Sequence, residues 1–204
     1  MDTDLRHDTP AAAASPRYPV ELIDVWRLPD GRRVLLRPVL PQDAPLFDAF
    51  VRGLAPHSRR LRFHGPVRAL PDEALARLVR VDHRTHLALL ASVFDGEVET
   101  AVAEARGAVD AAHGLPGEVE FALAVADAWQ GRGIGRRMLT ALRRAAGAAG
   151  HARLVGDVLA DNVAMLALAR SVGARVLRVP GAGPVLRVVL DADAPGTPPP
   201  YPRG

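Results

Sequence analysis

The six residues Gln130-Gly131-Arg132-Gly133-Ile134-Gly135 constrain the fold more than any other part of this chain. Ahead of them, Val119, Phe121, Leu123 and Val125 alternate with small or charged residues, the period of a strand buried on one face. Behind them, Ile134, Met138, Ala141, Leu142 and Ala145 recur at helical spacing, so 133–149 reads as an amphipathic helix. Glycine in the turn permits left-handed or crowded backbone without a Cβ clash. N–H groups can then converge on one anion, and the helix dipole adds partial positive charge. The arrangement suits a phosphate, although tight strand-to-helix turns also use glycine for steric reasons alone.

The rest of the chain supplies more strands and helices in alternation. Strands are expected at 20–27 and 33–39 around Pro29-Asp30-Gly31, and helices starting at Asp43, Ser58 and Asp72. Segments 86–94 and 97–105 flank Asp95-Gly96, a hairpin signal. Beyond the glycine turn come a strand at 153–159, a helix at 162–172 closed by Gly173, and a strand pair at 175–179 and 184–190. Helices lying between strands of a mixed, mostly antiparallel central sheet make an α+β fold. Residues 1–18, with an acidic start and an alanine run, and 191–204, with Pro198-Pro199-Pro200, read as disordered tails. One folded domain at 19–190 remains.

Composition narrows the function. No run approaches the ~20 apolar residues that span a bilayer. The N-terminus carries Asp2, Asp4 and Asp8 and lacks an apolar segment, so no signal peptide is expected and a cytoplasmic location is the default. Cysteine is absent, which excludes thiolate metal sites and an acyl-cysteine intermediate. All 26 basic residues are arginine. Composition bias explains that, and a nucleic-acid surface is the competing reading. Aromatics at 4% and arginines spread along the whole chain argue against nucleic acid as a partner. The histidines, including His57, His64, His83 and His86, have no carboxylate-rich cluster beside them, so no metal is expected.

Three segments in order resemble the GNAT acetyltransferase superfamily. Gln130, Gly133 and Gly135 fit its pyrophosphate signature, Arg/Gln-x-x-Gly-x-Gly/Ala. Asn162 with Met165, Leu168 and Gly173 is similar to the family's next helix, and Leu36 to Ala44 resembles its first strand and helix. Leu61-Arg62-Phe63-His64-Gly65, Glu120-Phe121-Ala122 and Val155-Gly156-Asp157-Val158-Leu159 look more narrowly like the acetyltransferase domain of bacterial protein-lysine acetyltransferases. That domain is often fused to a cyclic-nucleotide or acyl-CoA-synthetase-like partner, and no such partner is expected here.

The resemblance implies direct transfer of an acetyl group from acetyl-CoA to a primary amine, with a protein lysine as the acceptor of the narrower group. Glu120 is the implied general base. Period-2 geometry puts Glu118, Glu120, Ala122 and Ala124 on one face, where the alanines leave room for a slim ligand. The plainer reading makes both glutamates a solvent face, and Glu118 is the reserve base. Backbone groups of Leu123, Ala124 and Val125 would hold the pantetheine chain, helped by a bulge if one opens the strand. Gln130, Gly131, Arg132, Gly133, Ile134, Gly135 and Arg136 would cradle the pyrophosphate. Asn162 either bonds the coenzyme arm or caps its helix together with Asp161. Many family members place a tyrosine seven residues after this asparagine as general acid; here the position is Ala169. That departure keeps a non-catalytic acyl-CoA-binding module as the alternative.

Overall fold

The structure, a computed structural model, describes residues 18–65 and 67–198. The expected tails lie outside these residues at 1–17 and 199–204. In chain order the elements are β1 (Asp24–Arg27), β2 (Arg33–Pro38), α1 (Ala44–Gly53), α2 (Pro56–Phe63), α3 (Asp72–Val79), β3 (His86–Asp95) and β4 (Val98–Ala108). They continue with β5 (Glu118–Val125), α4 (Ile134–Ala148), β6 (Arg153–Leu159), α5 (Val163–Ser171), β7 (Arg175–Arg178) and β8 (Val185–Asp191). Among the described residues the strands form one sheet in the order β1-β2-β3-β4-β5-β6-β8-β7. Every pair is antiparallel except β5 with β6, so the α+β expectation holds.

The sheet is covered on both faces. On one, α4 buries Ile134, Met138, Leu139 and Leu142 against Leu36, Leu89, Val119 and Leu154. On the other, Phe47, Phe50 and Val51 of α1 and Leu75 and Val79 of α3 pack on Leu90, Ala101 and Ala124. Leu89 and Leu90 therefore serve opposite cores, which is why β3 reads as a continuous apolar run rather than an alternating one. No helix among the described residues is long and apolar enough to cross a membrane.

Three local features differ from the sequence expectation. Val20–Leu22 is a 3-10 turn, and it carries Leu22 into the core before the first strand starts at Asp24. β5 pairs with β4 in unbroken register, and the register shift falls one strand pair away, between Ala91 and Ser92 of β3. Residues 191–193 do not leave the domain: Asp191 ends β8, and the Ala192 N–H donates to the Ala152 carbonyl at 2.9 Å. Asp193 is ion-paired with Arg143 of α4. Its carbonyl oxygen would lie 1.7 Å from a Cβ on Gly147, so only glycine lets this segment cross the helix there.

Candidate functional site

The one parallel pair of strands among the described residues is short. β5 and β6 pair from Glu118↔Arg153 to Glu120↔Val155 and no further. Just past that point the Phe121 ring lies against the bare backbone of Gly156, where a Cβ would meet it at 2.8 Å. The opening, rather than a bulge, exposes the end of β5. A cavity of about 520 Å³ occupies it, walled by the end of β5, the glycine turn, α5 and α2.

Each glycine of the turn has its own physical reason. Gly131 and Gly133 sit at φ +70° and +80° with open space beyond, so backbone conformation selects them. Gly135 is helical, and a Cβ there would stand 3.1 Å from Leu168 Cδ2 on α5, so close approach selects it. α4 opens on Gly133 with no side-chain cap and no acidic residue in its first turn. Its first N–H groups have no intrahelical acceptor. The residues that bear them, Ile134, Gly135 and Arg136, line the cavity. This cradle of free N–H groups at a positive helix end fits a pyrophosphate.

Leu123, Ala124, Val125, Gln130, Gly131, Gly133 and Asn162 line the same cavity. Several side chains there also brace the walls. Gln130 Nε2 donates to the Val125 carbonyl at 3.1 Å and so ties the turn to its own strand. Arg136 donates to the Ser171 carbonyl at the end of α5 at 3.0 Å. Asn162 Oδ1 accepts from the Met165 N–H at 3.1 Å, so the capping role is present. Arg132 does not line the cavity. It pairs with Asp30 at 2.6 Å, and its guanidinium lies 5.5 Å from the Trp129 ring centre. Ala169, where the family tyrosine would stand, is fully buried in the core.

A second cavity of about 280 Å³ adjoins the first. Glu120, Phe121 and Ala122 form one side of it and Asp157 and Val158 of β6 another. Leu61, Arg62, Leu123, Asn162 and Met165 line both cavities, so the two meet end to end. The two glutamates of β5 part company here. Glu118 faces Arg153 at 3.7 Å with its side chain 11% exposed and lines neither cavity, whereas Glu120 is exposed to the second one. Asp157 bonds Arg187 at 2.6 Å. That hydrogen bond is the main reason Arg187 is held above the ordinary arginine value, with the charges of Asp157, Glu118 and Glu120 adding to it.

Sequence reasoning missed the contribution of α2, whose residues His57, Ser58, Leu61 and Arg62 line the first cavity. No residue of α2 is buried, and polar contacts hold it in place. Asp127, just ahead of the glycine turn, accepts from Ser58 Oγ at 2.6 Å and from the Ala55 N–H at 2.8 Å. Burial would raise the Asp127 pKa, but the bonds from Ser58 and Ala55 outweigh it and the net shift is downward. Arg60 pairs with Asp161 ahead of α5 at 2.5 Å, and Arg62 pairs with the buried Glu104 of β4. Each contact joins residues distant in sequence; a helix starting at Ser58 and the resemblance of 61–65 were the local signals. Among the described residues no group of three or more His, Asp or Glu could hold a metal.

Comparison with known proteins agrees with this architecture. The GNAT domain of S. lividans PAT superposes with a TM-score of 0.77 at 26% identity, covering 86% of this chain and 99% of that one. A cAMP-binding acyltransferase from Mycobacterium smegmatis matches with a TM-score of 0.58 at 28% identity, over 90% of this chain. The present chain accounts for 51% of that longer protein, about half its length. An acetyltransferase of Pseudomonas aeruginosa is 29% identical over 154 residues, 74% of this chain and 80% of that protein. Residues 33–175 match the family model described as an acetyltransferase (GNAT) domain, and the chain belongs to the GNAT acetyltransferase family.

Proposed function

We propose that this protein is an acetyl-CoA-dependent N-acetyltransferase that transfers the acetyl group directly to a primary amine, with a protein lysine as the foremost acceptor. The observation that carries this reading is the junction of the two cavities. The first presents an uncapped helix end to a pyrophosphate and an unpaired strand edge to the pantetheine chain. The second presents Glu120 a short distance further on. In this reading Glu120 takes the proton of the attacking amine, directly or through water. Asp157 is already paired with Arg187, so Glu120 is the carboxylate left to meet an approaching amine. The catalytic domain would be residues 19–190, acting in the cytoplasm.

Turnover of acetyl-CoA against lysine-bearing proteins, N-terminal peptides and small amines tests the proposal. Release of coenzyme A that depends on one acceptor class supports it and names the class. Coenzyme binding without turnover on any acceptor would replace it with a non-catalytic acyl-CoA-binding module.

A further inference from the structure

The second core carries a charge cluster that neither the glycine turn nor Glu120 explains. Glu104 of β4 is 1% exposed and bonds two arginines. One is Arg106, two residues on, at 2.9 Å. The other is Arg62 of α2, through its Nε. Burial pushes the Glu104 pKa up, the two guanidiniums outweigh it, and the net shift is downward, so Glu104 is an anion. One carboxylate between two guanidiniums leaves one positive charge uncompensated in a low-dielectric site. Arg106 bonds Glu104, the Leu78 carbonyl at 3.2 Å and His86 and lies over the face of Phe47; its Nη2 is left without a partner among the described residues, but Arg106 is buried and lines neither cavity. Arg62 is placed differently. Its side chain is 9% exposed and stacks on Phe63 at 4.7 Å. Among the described residues its terminal Nη groups have no hydrogen-bond partner, and the residue lines both cavities where they meet. The other charged groups along the joined cavity are Asp157, tied to Arg187, Asp161, tied to Arg60, Glu120, and Arg136; His57 and His64 are titratable neighbours. A nearly buried guanidinium with free donors, on a residue that lines the junction of two cavities, is a site for developing negative charge.

Resting on the acetyl-CoA reading above, we infer that Arg62 is a catalytic residue that binds the reacting thioester and stabilises the negative charge left on its sulfur. The amine lone pair forms the C–N bond as the C–S bond breaks, and that bond's electron pair leaves on sulfur. The amine's proton passes to Glu120. The thiolate takes a proton from solvent after it leaves the junction, so no general acid is needed. Arginine keeps its own proton at any working pH, so it acts as a fixed charge and not as an acid. This accounts for a site in which Ala169 stands buried where relatives carry a tyrosine.

The test reads the coenzyme rather than turnover. Coenzyme A is bound to the full-length protein, and the thiolate absorbance in the ultraviolet is titrated with pH. An opposite charge within a few ångströms lowers a pKa by about 1–3 units. The thiol in the wild-type complex is therefore expected to ionise at least about one unit below free coenzyme A in the same buffer. Arg62→Gln, which can still donate to Glu104, should return it most of the way, and Arg62→Lys should hold part of the shift. Turnover should fall about 10²-fold in Arg62→Gln with a smaller loss in Arg62→Lys. A wild-type complex whose thiol titrates at or above the free value overturns the inference whatever the variants do, as does an unchanged shift in a folded Arg62→Gln. A protein that binds no coenzyme A at all defeats the underlying functional reading instead.

Discussion

Gly133 and Gly135 stand two residues apart and are required for different reasons, which single substitutions can separate. Gly133 sits at φ +80° with nothing within 4 Å, so Gly133→Ala strains only the backbone. It is expected to cost about 1 kcal/mol of stability and to weaken coenzyme A binding as the turn relaxes. Gly135→Val instead drives its side chain into Leu168, Val125 and Leu123, at 3.1, 3.5 and 3.8 Å from a Cβ, and closes the cavity from within. Calorimetric titration should show binding reduced in the first and abolished in the second, while circular dichroism reports both as folded. Normal binding in both would place the coenzyme elsewhere. Glu120 makes a parallel case one strand earlier. Because Glu118 is held by Arg153 and Glu120 faces the second cavity, Glu120→Gln should lower turnover about 10²–10⁴-fold with acetyl-CoA affinity unchanged, and Glu118→Gln should not. Equal losses in the two variants would point to a general electrostatic role and not to one base.

At the scale of elements, α2 decides how the cavities are covered, and Asp127 is its main tie to the glycine turn. Asp127→Ala removes the acceptor of two hydrogen bonds, from Ser58 and Ala55. A cost of about 1–2 kcal/mol is expected in denaturant unfolding, with a raised KM for acetyl-CoA as α2 loosens. The pH dependence has a definite sign. The folded pKa of Asp127 is lowered, so its contribution is present above the ordinary carboxylate range and is lost as pH falls through the lowered value. Wild type should lose stability faster than Asp127→Ala on acidification below about pH 4. The strands and α4 were legible in the sequence because period-2 and helical spacing are local signals, as in Val119 to Val125 and Ile134 to Ala145. The cover provided by α2 was not. Its contacts to Asp127, Glu104 and Asp161 span 69, 42 and 101 residues, and a helix with no buried side chain shows no apolar stripe to reveal which face it presents. The opening of β5 from β6 was hidden for a related reason. It lies where Phe121 meets Gly156, two residues on different strands.

At the scale of the whole molecule, a ligand that joins β5, α4, α5 and α2 should stabilise all of them together. Acetyl-CoA at 100 times its dissociation constant adds about 2.7 kcal/mol, so a rise in Tm that grows with the logarithm of concentration is expected. The absence of lysine bears on the same ligand. Every one of the 26 basic side chains is arginine, and many are engaged in ion pairs, such as Arg37 with Asp43 and Arg187 with Asp157. A guanidinium stays protonated and is a poor nucleophile toward a thioester. Acetyl transfer onto the chain's own side-chain amines is therefore impossible, and with it regulation by lysine deacylases. After long incubation with acetyl-CoA the intact mass should stay constant or rise by one acetyl group, located in the peptide that begins at Met1. Hydroxyls are the remaining acceptors, and of these the three serines within 19–190 sharpen the test. Ser92 is fully buried against Glu99, and Ser171 is engaged with the Leu168 carbonyl, whereas Ser58 lines the first cavity and already donates to a carboxylate, Asp127. A stoichiometric adduct within 19–190 would thus be expected at Ser58 and would vanish in Ser58→Ala. Its appearance would replace direct transfer with a two-step route through an ester; its absence leaves the amine attacking the thioester in one complex.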